Sequence, residues 1–280
     1  MQVPAVLPMR VMTVGETLDA ATALLRARAL PLLALAAVLA GAEQLLLTPL
    51  RAEAGLPAPV FLPSWDDDAG PWWLLVATGL TLETVIIAVL GAYAGAAAGP
   101  ALLGRTVPHR RLWRRTRPLS VLVVIVLLGL LSWPAALFGL LPWIVLYGLF
   151  GLAVPVLTLD RAGGPFRALG RSAALSVRAG GRVMWTRLLG YLVWFAIRFA
   201  LGTGWTAVTT LFVTTVRGEW LEFAVPIAYA LANTAAYAAL ACLDAVLLVE
   251  IRIRTEGLDI ALGRRRARGE DEAAGLAVAR

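Results

Sequence analysis

Six stretches of this chain are apolar for about 20 residues or more, which is the length that an α-helix needs to cross the hydrocarbon core of a bilayer. Four of them lie at about residues 30–50, 72–98, 188–215 and 222–249. The other two share an apolar run of about 40 residues that ends at Leu159, and Ser132-Trp133-Pro134 predicts the hinge between them, because proline restricts the residue before it. Charged residues make up only 15% of the chain, against about a quarter in soluble domains. The sequence therefore predicts an all-α polytopic membrane helix bundle with about six transmembrane helices.

Arginine divides the connecting segments into two sets. The chain contains no lysine, and arginine is abundant in the connectors at 105–117 and 161–187 but sparse at 51–71 and 217–220. Membrane proteins carry their excess of positive residues in cytoplasmic loops. The pattern therefore predicts a multi-pass protein with both termini and the two basic connectors in the cytoplasm. The bias towards Arg, Ala, Gly and Pro is typical of a GC-rich bacterial genome, which indicates a bacterial cytoplasmic membrane.

A unit of basic amphipathic segment, span, turn and returning span occurs three times, at about residues 13–100, 101–160 and 161–255. In the first unit, Thr13 and Glu16 have the spacing of a capping box, which predicts that a helix begins there. Its apolar residues recur every three or four positions, so it would lie in the headgroup region or, alternatively, pack on protein in the cytoplasm. Each unit would be a hairpin that enters from the cytoplasm. Parallel repeats of this kind disfavour, without excluding, a transporter, since many transporters use inverted repeats.

The division into domains follows from where the apolar units end. We expect a single integral membrane domain at 1–255 and a cytoplasmic charged tail at 256–280. The tail contains Arg264-Arg265-Arg266 among acidic residues, and this mixed charge predicts a segment that is helical at first and frayed at its end.

Two charged side chains fall near the middle of predicted spans. Arg198 lies about ten residues into the fifth span and Glu83 about eleven residues into the second, which at about 1.5 Å per residue places both near mid-membrane. A lone charge there costs at least about 2.5 to 3.5 kcal/mol, so an ion pair facing the bundle interior is expected. The pair could fix helix register or line an ion, proton or substrate pathway, unless Arg198 instead extends towards the interface.

Other polar residues could belong to the same polar core. Glu43 and Gln44 lie near the outer end of the first span, and Asn233 lies in the sixth. Asp244 is near the inner end of the sixth span, at the depth of the connector arginines. We predict that it is a structural tie between that span and an interfacial helix.

The cytoplasmic arginines are candidate contacts for anionic lipid headgroups, because each contributes about 1 kcal/mol of attraction near the membrane surface. The candidates are Arg110, Arg111, Arg114, Arg115, Arg167 and Arg171. These positions coincide with span ends, where topology already requires positive charge. The predicted partners are anionic membrane lipids, with a protein partner in the membrane left open and no nucleic acid expected.

Sequence motifs for catalysis are missing. Without lysine there is no phosphate-loop lysine or Schiff base, and the chain has no Gly-x-Ser-x-Gly elbow. It has one histidine, His109, and one cysteine, Cys242, too few for a zinc site built from these residues. The acidic run at 66–68 could hold a divalent cation, but a solvated loop explains it better. We therefore expect a protein that is not an enzyme and has no cofactor.

Three segments carry a resemblance to a known family. They are Val-Gly-Glu-Thr-Leu-Asp at 14–19, Pro-Phe-Arg-Ala-Leu-Gly-Arg-Ser at 165–172 and Glu-Ile-Arg-Ile-Arg-Thr-Glu-Gly-Leu-Asp at 250–259. The chain resembles a group of bacterial multi-span membrane proteins that are similar to the membrane domain of some glycerophosphoryl diester phosphodiesterases. The resemblance implies an all-helical multi-span domain that begins in a cytoplasmic amphipathic helix. It implies no catalysis, because the active site of those enzymes is in a separate soluble barrel with paired histidines, for which this chain has neither the length nor a second histidine.

Two functions are consistent with these features, and a third, an enzyme acting on lipid at the outer face, would require the acidic run at 66–68 to bind metal. The first is a non-enzymatic scaffold or accessory subunit in a lipid or cell-envelope process, whose arginines engage anionic lipids or a partner. The alternative is a small transporter or export component with a polar path near Glu83 and Arg198.

Overall fold

The structure, a computed structural model, describes residues 5–56, 69–213 and 220–277. This part of the chain is helical and contains no strand. Six of its helical segments are long and apolar enough to cross a membrane, which confirms the predicted helix bundle and makes this a multi-pass membrane protein. They are Ala29–Glu53, Ala69–Leu102, Pro118–Leu137, Leu140–Thr158, Arg182–Leu201 and Pro226–Glu256. The acidic run at 66–68 lies outside the described residues.

The helices follow one another in three similar sets. The first set is α1 (Val14–Ala27), α2 (Ala29–Glu53) and α3 (Ala69–Leu102). The second is α4 (His109–Trp113), α5 (Pro118–Leu137), α6 (Leu140–Phe150) and α7 (Ala153–Thr158). The third is α8 (Pro165–Arg178), α9 (Arg182–Val213) and α10 (Trp220–Glu256), and the tail contributes α11 (Leu258–Ala267) and α12 (Glu272–Leu276). Each set is a short helix followed by two spans, which is the order of elements in the predicted repeat.

Helix α1 begins at the predicted capping box. The Glu16 amide donates to the Thr13 hydroxyl at 3.3 Å, and the Thr13 amide donates to Glu16 Oε2 at 2.8 Å. Hydrogen bonds from Arg10 and from the Thr13 amide lower the pKa of Glu16 to about 2. One side of the helix, which includes Ala20 and Leu24, is buried, and α1 packs against α10.

The hinge between the third and fourth spans is not where the sequence predicts it. Helix α5 continues through Pro134, and the chain turns at Phe138 and Gly139. Gly139 has φ of 129°, which glycine adopts readily and other residues rarely do. Transmembrane helices tolerate proline because neighbouring groups satisfy the backbone carbonyl that it leaves free. The prediction from Pro134 is therefore wrong by about one helical turn.

The sixth span is the centre of the bundle. Helix α10 packs against α1, α2, α3 and α9, and 89% of its apolar window is buried, compared with 33 to 50% for the other spans. The outer spans instead expose large apolar side chains such as Leu30, Leu119 and Phe138. This arrangement suits a hydrocarbon solvent around the outside of the bundle and a packed, partly polar interior around α10.

A run of small residues at 91–99 lets α3 and α7 approach closely, as such residues do in membrane proteins. All of these residues are buried. A Cβ atom on Gly95 would overlap the Thr158 hydroxyl and lie 2.9 Å from Pro155 Cα, which is backbone and cannot move aside cheaply. The position therefore requires glycine at this spacing of the two helices.

The charged tail returns to the bundle. Leu276 on α12 is buried, and its carbonyl accepts a hydrogen bond of 2.7 Å from Arg252 Nη1 on α10. Asp271 pairs with Arg105 at 3.0 Å. The expectation of a frayed end is therefore wrong for the tail as far as residue 277, because buried Leu276 and an exposed ion pair of Asp271 connect it to distant residues.

Candidate functional site

The two mid-membrane charges predicted from the sequence lie together. Arg198 Nη1 on α9 donates to Glu83 Oε1 on α3, and the Tyr191 hydroxyl donates to Glu83 Oε2 at 2.7 Å. Arg198 is 6% exposed, so it does not extend towards an interface. Its guanidinium also lies 5.5 Å from the ring centre of Tyr191, within the range of a cation–π contact.

A second carboxylate, Glu43 on α2, belongs to the same cluster. It is 2% exposed, and it accepts hydrogen bonds from the Tyr237 hydroxyl at 2.8 Å and from Asn233 Nδ2 at 3.1 Å. Asn233 Oδ1 in turn accepts from Arg198 Nη1 at 3.3 Å, so one amide joins Glu43 to the ion pair. The extension of the polar core through Glu43 and Asn233 that the sequence suggested is thus present. Gln44 contributes by accepting from Arg51 at 2.7 Å.

The two tyrosines were not predicted as part of the site. Tyr237 follows Asn233 by one helical turn, and Tyr191 precedes Arg198 by two turns, so each shares a helix face with a polar residue. Tyrosine in a span is easily interpreted as an interfacial aromatic residue. Its position on the face of an intramembrane polar residue is the signal that distinguishes a buried hydroxyl from an interfacial one.

Charge is not balanced within this cluster. It contains two carboxylates, Glu43 and Glu83, and one guanidinium, Arg198. Nε and Nη2 of Arg198 are buried and have no hydrogen-bond partner among the described residues. Ionised groups in an apolar interior are costly unless paired and hydrogen-bonded. The cluster therefore joins the spans and, within the described part of the chain, has an excess carboxylate and unbonded guanidinium nitrogens that could take part in binding.

Asp244 takes part in a different pair from the one predicted. Arg187 donates to it through both Nε and Nη2, at 2.6 and 2.9 Å, and both side chains are buried. Arg187 is one of the connector arginines of the sequence, but it lies in α9 at the start of the fifth span. The predicted tie to an interfacial helix is therefore wrong, and Asp244 instead joins two spans.

The surroundings of this pair are closely fitted. The Arg187 guanidinium lies 3.7 Å from the ring centre of Tyr147, and a Cβ atom on Gly151 would overlap it. A cavity of about 20 Å³ adjoins the pair, which is about the space of a single water molecule. Tyr147 Oη and Arg187 Nη1 have no partner among the described residues.

These clusters form a polar column through the bundle of α2, α3, α9 and α10. On α10 it extends from Asp244 to Asn233, about 16 Å at 1.5 Å per residue. On α2 it continues from Glu43 to Arg51, about a further 12 Å. The sum is close to the roughly 30 Å thickness of the hydrocarbon core. Polar side chains therefore succeed one another across most of the membrane.

At the end of the bundle that carries the basic connectors, ion pairs join the third set of helices to the second. Asp160 is fully buried and pairs at 2.7 Å with both Arg171 and Arg252. Glu256 completes the ring by pairing with the same two arginines at 2.9 and 3.0 Å. Arg171, which the sequence suggested as a lipid contact, thus has two carboxylate partners within the protein.

Three of the other candidate lipid contacts lie together in a surface pocket of about 600 Å³, called here the arginine pocket. It is lined by Arg114, Arg115, Arg117, Arg161, Gly163 and Arg167. No carboxylate lines it, and none of its arginines pairs with an acid among the described residues. The remaining candidates, Arg110 and Arg111, are exposed on α4 outside the pocket.

The backbone of the arginine pocket is unusual. Arg117 and Arg161 have φ of 55° and 54°, in the left-handed region that residues with a Cβ seldom occupy. Arg117 Nη1 donates to the Ala162 carbonyl at 2.5 Å, which holds the two connectors together. Such backbone conformations cost about 1–3 kcal/mol and persist where the surroundings enforce them, often at binding sites. Both arginines belong to the basic connectors at 105–117 and 161–187, and nothing in the sequence distinguishes them from the other connector arginines.

No group of three or more His, Cys, Asp and Glu side chains that could hold a metal occurs among the described residues. His109 Nδ1 instead lies 2.5 Å from the Tyr93 hydroxyl, and Cys242 is buried in α10. In comparisons with known proteins, the chain matches no family model, no curated protein and no solved structure. The interpretation of function therefore depends on the arginine pocket and on the polar column.

Proposed function

We propose that this protein is a non-enzymatic integral membrane protein that binds anionic phospholipid headgroups at the arginine pocket, as a scaffold or accessory subunit in a lipid or cell-envelope process. The observation that carries the proposal is the gathering of five arginines around one pocket that is lined by no carboxylate from the part of the chain that the structure describes. Guanidinium groups form bidentate hydrogen bonds with phosphate oxygens, and several that converge from two connectors can hold one headgroup.

The proposal includes an orientation. The arginine pocket, α1, α8 and the tail belong to the basic connectors and termini, and the positive-inside rule assigns them to the cytoplasmic face of a bacterial cytoplasmic membrane. Anionic lipids are abundant there and attract such segments. The resemblance to the membrane domain of glycerophosphoryl diester phosphodiesterases supports a role close to lipids.

Lipid binding can be tested with the purified full-length protein. We expect native mass spectrometry in detergent to show tighter binding of phosphatidylglycerol than of phosphatidylcholine. Replacing Arg114 and Arg115 together by glutamine should weaken phosphatidylglycerol binding about tenfold, since each arginine contributes about 1 kcal/mol, reduced by screening at an exposed site.

The matched control replaces Arg110 and Arg111 by glutamine. This double substitution removes the same charge from the same connector, but the two residues lie outside the arginine pocket. It should weaken binding much less. Equal affinity of the wild-type protein for the two lipids, without a co-purifying protein partner, would remove the support for this proposal.

The polar column favours a second candidate function, a small transporter or export component. Its support is the succession of polar side chains from Asp244 to Arg51, most of them buried, over a distance close to the thickness of the bilayer. If the column conducts protons, proteoliposomes under a potassium diffusion potential should take up protons, and Glu83→Gln should abolish the uptake while the protein remains folded. If the wild-type protein shows no proton flux and Glu83→Gln only lowers the thermal stability, the polar column has a structural role instead.

A further inference from the structure

The Tyr237 hydroxyl lies between the buried carboxylate of Glu43 and the carboxylate of Glu83, whose side chain is 14% exposed. Its oxygen is 2.8 Å from each oxygen of Glu43 and 3.3 Å from Oε1 of Glu83. Tyr237 is completely buried, and Glu43 is 2% exposed. The three groups come from α10, α2 and α3, so the packing of three spans fixes their spacing.

If both carboxylates are ionised, Tyr237, Glu43 and Glu83 have too few protons to form a hydrogen bond from Tyr237 to each carboxylate. A tyrosine hydroxyl carries one proton and can donate it to one acceptor, whereas an ionised carboxylate only accepts. If Tyr237 donates to Glu43, its contact with Glu83 Oε1 has no hydrogen between the two oxygens. One additional proton on either carboxyl group gives Tyr237 one hydrogen-bonded contact with Glu43 and one with Glu83.

The charges around the cluster lead to the same result. Among the described residues, Arg198 is the only guanidinium hydrogen-bonded to either carboxylate, so two ionised carboxylates would leave one negative charge without a bonded counter-charge in the membrane interior. The other titratable groups facing the cluster supply no second guanidinium that is hydrogen-bonded to these carboxylates within the described ranges. Arg187 on α9 is held by Asp244 on α10 through two hydrogen bonds, and Tyr147 on α6 and Tyr191 on α9 are uncharged phenols. Arg51 on α2 donates to Gln44, the neighbour of Glu43, and its charge acts on Glu43 from a distance.

We propose that Glu43 and Glu83 share a single exchangeable proton through the Tyr237 hydroxyl, which makes this cluster a proton-binding site in the middle of the membrane. Glu83 accepts from the guanidinium of Arg198, which is its counter-charge, and from Tyr191. The described donors to Glu43 are the neutral groups Asn233 and Tyr237, so the proposal places the proton on Glu43.

The geometry allows the proton to change place. The O–H bond of Glu43 breaks as its proton passes to the Tyr237 oxygen, while the original Tyr237 proton passes to Glu83 Oε1. Tyr237 is a neutral phenol before and after the exchange, Glu43 becomes a carboxylate and Glu83 a carboxylic acid, so charge and atoms balance. The site stands independently of lipid binding at the arginine pocket.

Infrared spectroscopy of the full-length protein in nanodiscs tests this site, because a protonated carboxyl group has a carbonyl band separate from that of carboxylates. We expect the wild-type protein at neutral pH to show such a band, shifted by exchange into D2O. Glu43→Gln should remove it, and Glu83→Gln should also remove it, because Glu43 is then balanced by Arg198. Arg198→Gln should increase it, since both carboxyl groups then take up a proton.

Two further variants separate the shared proton from a merely structural role. Tyr237→Phe should keep the band but move it to higher frequency, because the acid loses its hydrogen-bond partner. Glu256→Gln is the control and should leave the band unchanged, since Glu256 is paired with two arginines. Where Glu43→Gln or Glu83→Gln does not fold, the frequency shift in Tyr237→Phe still identifies the group, because only a carboxyl group in contact with Tyr237 responds to this substitution. Absence of the band from folded wild-type protein at neutral pH, or its persistence in both Glu43→Gln and Glu83→Gln, would overturn the proposal.

Discussion

Replacing Asp244 by asparagine is expected to lower the free energy of unfolding by about 3–5 kcal/mol, the cost of breaking a buried ion pair by removing one partner. The substitution leaves Arg187 buried and charged, because a guanidinium cannot lose its proton in a protein. Gly151 and the Tyr147 ring enclose that guanidinium closely, so it has little room to find another partner. Thermal or denaturant unfolding of the detergent-solubilised protein measures the loss.

The matched variants make the interpretation specific. Arg187→Met should cost less than Asp244→Asn, because the remaining carboxyl group can take up a proton. Asp19→Asn changes an exposed aspartate on α1 in the same way and should change the stability by no more than about 0.5 kcal/mol. An Asp244→Asn variant as stable as Asp19→Asn would contradict the assignment of the pair as the tie between α9 and α10.

The second large effect is a cooperative one at the mid-membrane cluster. Glu83→Gln leaves Glu43 close enough to balance Arg198 through Asn233, and Glu43→Gln leaves the Glu83 pair intact. The double variant leaves Arg198 with no counter-charge, so it should lower the free energy of unfolding by about 3–5 kcal/mol. We expect this to exceed the sum of the two single losses by about 0.5–3 kcal/mol, the range for residues in one network.

A double-mutant cycle measured by denaturant unfolding gives this interaction energy. The comparison cycle combines Glu83→Gln with Asp19→Asn, which shares no partner with Glu83, and should be additive within about 0.5 kcal/mol. If the losses in free energy of unfolding of Glu43→Gln and Glu83→Gln simply add, each carboxylate acts alone, and the two do not share the role of counter-charge to Arg198.

Much of the fold follows from the sequence, because the bilayer imposes a minimum length on each span and arginine marks the connectors. The Thr13 and Glu16 box fixes the start of α1 in the same direct way. The error at Pro134 shows the limit of a local signal. A proline within a membrane helix can be satisfied by its surroundings, whereas the turn at Gly139 depends on how α5 and α6 pack.

The candidate site was predictable only where the free-energy cost of an unpaired charge in the membrane determines the contact. Two opposite charges at one depth must meet, and this is enough to pair Glu83 with Arg198. The partners of Asp244 and Arg171 depend on which helix faces touch, and these contacts join residues 57 and 85 positions apart. A single sequence contains no direct signal for such contacts. For the same reason the gathering of Arg117 and Arg161 into the arginine pocket could not be anticipated.

The central position of α10 has a consequence for biosynthesis. Translation proceeds from the N-terminus, so the segments with Glu43 and Glu83 are inserted before Asn233 and Tyr237 have been synthesised. Until the last hairpin arrives, these carboxyl groups lack the donors that α9 and α10 supply, and any that remain ionised are unpaired in an apolar solvent. Assembly is thus completed by the final helix, and a chain arrested before it would present acidic groups to lipid or to the insertion machinery.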